Sequence, residues 1–109
     1  MANRVFYTKV GSRKSITAQL KDGTGALNLT GASVVCRARA PEDNNLILNG
    51  SATLTDAANG KVSYTPTSGE ASAFVKGQYA LEWVVTLSGI TFMVPDDGHD
   101  VLQIEEALT

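Results

Sequence analysis

A chain of 109 residues has the size of one domain built around one hydrophobic core. Its apolar fraction of 43% excludes a disordered chain, and an aromatic fraction of 6% means a core made mostly of Val, Leu, Ile and Ala. A net charge of −2 argues against broad binding to nucleic acid or to an anionic membrane, since both need concentrated positive charge.

Apolar residues recur mostly at every second position, the period of a strand with one buried face. Residues 4–10 form a first strand, with Val5, Tyr7 and Lys9 on one face and Phe6, Thr8 and Val10 on the other. After a break at Gly11-Ser12-Arg13, residues 15–21 place Ile16, Ala18 and Leu20 in phase. Asp22-Gly23-Thr24-Gly25 is a turn, and Leu27-Asn28-Leu29 is a brief extended bridge. Residues 32–40 are a third main strand, with Arg37 and Arg39 on the face opposite Cys36. A polar loop opened by Pro41 leads to the apolar run Leu46-Ile47-Leu48. Residues 51–55 and 61–65 are short strands, and Asn59-Gly60 between them signals a hairpin.

The one helical stretch falls near residues 68–74, with Thr67 or Ser68 as its cap and Glu70 near the positive end of its dipole. The longest apolar row follows: Tyr79, Leu81, Trp83, Val85 and Leu87 alternate, Ser88-Gly89 turns the chain, and Ile90, Phe92 and Val94 return. This hairpin holds the only Trp and centres the core. A loop at residues 95–99 leads to a last strand at 100–105. Seven to nine short strands at this spacing predict an all-β, immunoglobulin-like antiparallel β-sandwich, a single domain over residues 1–109. Gly77-Gln78-Tyr79 after a short helical corner matches a tyrosine corner, in which the phenol hydroxyl returns to a nearby backbone group. Leu81 stands where such domains often carry a cysteine, so Trp83 fills the space of the usual disulfide.

Charge is unevenly spread. Arg4, Lys9, Arg13, Lys14 and Lys21 precede the first acid, whereas Asp96, Asp97, Asp100, Glu105 and Glu106 follow Ile90 with no Lys or Arg among them. Two readings stand. The terminal strands lie side by side and neutralise each other, or copies of the chain attract head to tail. Cys36 is the only cysteine and alternates with apolar neighbours, so it belongs to the core. The start has no apolar stretch of signal-peptide type, and no run reaches the ~20 apolar residues that span a bilayer. The protein is expected to be made and kept in a cytoplasm, or to leave it without a signal peptide.

Catalytic inventories come up short. His99 is the only base of its kind and sits in a loop of acids, no serine occupies a nucleophile elbow, and one Cys with one His cannot make a zinc site. The Asp96-Asp97-Gly98-His99-Asp100 loop offers too few oxygens for calcium and matches no EF-hand spacing. Glu82 is a lone acid on an open strand face, unlike the facing carboxylates of a glycosidase. The expectation is a protein that is not an enzyme and that uses no cofactor, metal or small-molecule substrate.

Several segments carry a resemblance. Lys9-Val10-Gly11, Ile16-Thr17-Ala18-Gln19-Leu20-Lys21-Asp22, and the run from Leu27 through Gly31-Ala32-Ser33-Val34 to Arg37 resemble the amino-terminal domain of phage baseplate upper proteins. Asn59-Gly60-Lys61-Val62, Gly77-Gln78-Tyr79 with Glu82, and Phe92-Met93-Val94-Pro95-Asp96-Asp97-Gly98 continue it along nearly the whole chain. The resemblance implies an immunoglobulin-like structural protein of a tailed-phage virion. Its place would be tail or baseplate, head–tail accessory, or capsid decoration. Its partners would be other virion proteins and copies of itself in a homo-oligomer. Arg37 and Arg39, with Asp96, Asp97 and Asp100, are the candidate interaction surface. A carbohydrate- or cell-surface-binding module is the competing reading; once the core aromatics are set aside, its platform reduces to Phe6, Tyr7 and Phe74.

Overall fold

Alternation in the sequence becomes alternation in space over residues 4–22, 25–40, 42, 45–94 and 100–106, the residues described by the computed structural model. Among them are eleven strands. These are β1 (Val5–Lys9), β2 (Ile16–Gln19), β3 (Lys21–Asp22), β4 (Gly25–Ala26), β5 (Ser33–Arg39), β6 (Leu46–Ser51), β7 (Thr53–Asp56), β8 (Lys61–Tyr64), β9 (Gly77–Leu87), β10 (Ile90–Val94) and β11 (Asp100–Glu105). Nine remain when the two-residue β3 and β4 are set aside. A 3₁₀ turn (Ala57–Asn59) and one short helix, α1 (Ser68–Ser72), complete the described secondary structure.

The strands form two layers. One is a six-stranded sheet in the order β1-β11-β9-β5-β6, with β10 also paired to β9; the other is β2-β8-β7. These orders reproduce the G-F-C-C′ and B-E-D arrangements of an immunoglobulin-type sandwich, so the expected all-β sandwich is what the chain forms. Strand β9 is long enough to hold β11 along its first half and β10 along its second, with β5 on its other side. The outermost strand, β1, runs parallel to β11, from Val5 opposite Val101 to Lys9 opposite Glu105.

The core lies between the layers. Leu81, Trp83 and Val85 of β9, Val34, Cys36 and Ala38 of β5, and Leu102 and Ile104 of β11 face Ile16, Val62 and Tyr64 of the smaller sheet. Trp83 is fully enclosed, as its place in the alternating row predicts, and its indole N–H has no acceptor. Burying that donor costs on the order of 1–3 kcal/mol, which the packing of a large ring offsets.

Local chemistry shapes the turns. Ser88 (φ 53°) and Gly89 (φ 80°) both take left-handed conformations, as a tight two-residue hairpin demands. Gly60 has φ 71°, and a Cβ there would stand 2.5 Å from the Leu20 carbonyl oxygen and 2.8 Å from that of Leu27. Only glycine fits this turn, which docks against the end of β2 through the Leu20 N–H to Gly60 O bond of 2.8 Å. The tyrosine corner is present too: the Tyr79 hydroxyl donates to the Val75 carbonyl at 2.5 Å.

Candidate interaction surface

The pleat sends every second side chain of the large sheet away from the core, and strand register gathers these side chains into rows. Arg37 stands between Glu82 of β9 and Asn49 of β6. Arg39 stands between Ala80 and Leu46, in a row that continues through Val101 to Val5. Met93, Val84, Val35 and Ser51 make the neighbouring row beyond Glu82 and Arg37. Both arginines are half-buried and lie opposite buried Cys36 and Ala38, as the sequence indicates. The Arg37 Nε is buried without a hydrogen-bond partner, so this guanidinium is wedged among its neighbours and does not stand free in solvent.

Asp100 requires a correction. Expected on an exposed acidic loop, it is 2% exposed at the start of β11. One carboxylate oxygen accepts from the Arg4 backbone N–H at 3.1 Å, and the other accepts from the Arg4 guanidinium at 2.8 Å. Arg4 also donates to the Gln19 carbonyl at 2.8 Å and lies 5.4 Å over the Phe6 ring. This cluster ties β1 to β11 and to the opposite sheet, a structural task in place of the surface role expected of Asp100. It also realises the neutralising arrangement of the basic start and acidic end. Asp96, Asp97 and His99 fall outside the described residues.

Sequence reasoning places Glu70 at the helix start but misses its wider reach. Thr67 and Glu70 form a reciprocal capping box, the Thr67 hydroxyl accepting from the Glu70 N–H and the Glu70 carboxylate accepting from the Thr67 N–H. The same carboxylate accepts from the Tyr64 hydroxyl at 2.6 Å and from the Asn49 N–H on β6 at 3.1 Å. Burial works against its charge, but the hydrogen bonds from Tyr64, Thr67 and Asn49 outweigh it and hold the carboxyl below its ordinary value. Burial, followed by the bond to Glu70, drives the Tyr64 phenol well up. Burial, with the Glu70 charge nearby, pushes the Cys36 thiol up to about 12, which makes it an inert core residue. The Thr-x-x-Glu spacing is the visible signal; Asn49, 21 positions away, leaves none.

The aromatic candidates separate sharply. Phe74 is buried at 4% exposure, Phe6 lies half-buried under Arg4, and Tyr7 is 71% exposed. A cavity of about 490 Å³ runs beside the end of β1, with Tyr7, Thr8, Lys9, Lys14 and Glu105 among its lining residues. Among the described residues no three His, Cys, Asp or Glu side chains gather to hold a metal, and no helix is long and apolar enough to cross a membrane.

No protein-family model matches the chain, and no curated protein does. Solved structures do match. The N-terminal domain of phage TP901-1 ORF48 superposes with a TM-score of 0.65, covering 96% of this chain and 90% of that one at 15% identity. The shared property is the fold, and it extends over nearly the whole of both chains.

Proposed function

We propose that the chain is a non-enzymatic structural module of a tailed-phage virion, acting through contacts with other virion proteins and with copies of itself. The observation that carries this reading is the whole-length fold match to a domain of a phage protein. Segment-by-segment resemblance to phage baseplate upper proteins supports the same reading, with tail or baseplate as the favoured location ahead of a head–tail joint or capsid decoration. The rigid architecture fits such a role, because a fully packed sandwich presents fixed surfaces that lose little entropy when they dock. Arg37 and Arg39, held by register on one open sheet face, are proposed contact residues, joined by Asp96 and Asp97 of the acidic loop.

The test is composition of the particle. Peptides of this protein are expected in purified virions at a fixed ratio to the tail proteins. Neutralising both with Arg37→Gln and Arg39→Gln is expected to lower incorporation while the isolated protein stays folded. Absence from particles would remove the assignment. Binding on a glycan array that disappears in Tyr7→Ala would replace it with the carbohydrate-binding reading.

A further inference from the structure

The open edge of the large sheet has a definite chemistry. In the parallel pair of β1 and β11, the Arg4 carbonyl accepts from the Val101 N–H and the Val10 N–H donates to the Glu105 carbonyl, each at 2.9 Å. A parallel ladder uses both backbone groups of alternate residues. Phe6 and Thr8 therefore direct theirs to β11, while Val5, Tyr7 and Lys9 direct theirs away from the sheet. The Lys9 carbonyl is taken by the Ser12 N–H at 3.0 Å. Both groups of Val5 and Tyr7 and the N–H of Lys9 have no partner strand among the described residues. The cavity lies alongside this edge. Thr8, only 8% exposed, is among its lining residues, and its Oγ1 is buried without a hydrogen-bond partner.

We infer that β1 receives an extended, acidic segment of another protein as an added strand. Backbone bonds to Val5, Tyr7 and Lys9 would supply the register, and the exposed Tyr7 ring would cover the incoming side chains. Charge selects the acidic partner. Lys9 and Lys14 flank the cavity, and neither has a carboxylate within ion-pair distance among the described residues; Glu105 is the single acid in its lining. A second copy is a poor occupant. Its own acidic strand, β11, is paired on both sides, β2, β6 and β10 carry no acid, the Asp56 carboxylate of β7 is bound to the Asn59 amide, and β3, which carries Asp22, is only two residues long.

This inference deepens the reading of the chain as an assembly module and rests on it, yet the two fail separately. Absence from particles removes the virion assignment whatever a peptide does, and a silent peptide removes the edge assignment whatever the particles contain. The probe is a short blocked peptide alternating valine and glutamate, compared with its valine–lysine counterpart, added to the intact protein while amide hydrogen exchange is read residue by residue. The acidic peptide is expected to slow exchange at Val5, Tyr7 and Lys9 and to bind about fivefold more tightly than the basic one at low salt. Tyr7→Pro removes one outward N–H that the fold does not use, and it is expected to weaken binding about tenfold. Reversing the cavity charges with Lys9→Glu and Lys14→Glu is expected to invert the peptide preference, which keeps the test decisive should the proline variant fold poorly. Unchanged exchange at the three amides, equal binding of the two peptides, or protection that rises with protein concentration alone would overturn the inference.

Discussion

The two outer edges of the large sheet are treated differently. At β6 the outward N–H of Asn49 is taken by the Glu70 carboxylate, and Gly50 lies so close to Tyr64 that an added Cβ would stand 2.6 Å from the phenol oxygen. Side chains from the helix and the second sheet therefore cover the middle of that edge. At β1 the anchoring runs through Arg4 and Asp100, and among the described residues both backbone groups of Val5 and Tyr7 and the N–H of Lys9 have no partner strand. An unpaired edge invites unwanted strand pairing, so soluble proteins usually cover or charge it. One edge has a carboxylate set against its middle while the other, among the described residues, is flanked by lysines, and that asymmetry supports the proposal that β1 is the side that receives a partner.

The sharpest way to break this contrast is to unseal β6. Glu70→Ala removes the acceptor for Tyr64, Thr67 and Asn49 together and is expected to cost about 3 kcal/mol in urea unfolding. A loss below about 0.5 kcal/mol would mean that this carboxylate does not hold the edge. Loosening β1 from inside should cost somewhat less. Asp100→Ala strips Arg4 of its buried partner, but the Arg4 side chain is 40% exposed and can rehydrate, so about 2 kcal/mol is expected. Amide exchange in that variant should accelerate at Phe6 and Thr8 more than at residues of β6.

A gentler probe is pH. Because the folded-state pKa of Glu70 lies below its ordinary 4.5, its contribution is present above that value and fades as pH falls through the folded pKa. The stability gap between the wild type and Glu70→Gln should therefore be constant near neutrality and shrink below about pH 4.5. A gap that widens on acidification would contradict the hydrogen-bonded carboxylate. The smallest effect belongs to Tyr7→Ala at the open edge. With Tyr7 71% exposed, it should leave stability within about 0.5 kcal/mol, so any loss of partner binding can be read as contact and not as unfolding.

Much of this architecture is legible in the amino-acid order. The row from Tyr79 to Leu87 announces the central strand, Ser88-Gly89 the hairpin, Thr67 or Ser68 with Glu70 the helix start, and Gly77-Gln78-Tyr79 the corner. Arg37 and Arg39 fall opposite Cys36 in both sequence and structure because strand parity alone decides a face. Asp100 misleads for an equally physical reason. The residues just before it in the chain are mostly polar, whereas its partner Arg4 is 96 positions away.

What the sequence determined by itself is therefore the set of faces: which side chains of each strand share a side, where the chain must turn, and where the helix begins. All of these depend on neighbours within a few positions. Tertiary structure alone decided which strands became edges, that the basic start lies parallel to the acidic end, and that one carboxylate reaches both a tyrosine and the backbone of β6. Pairing between distant strands is chosen by the order of the whole sheet, and no local period carries that information.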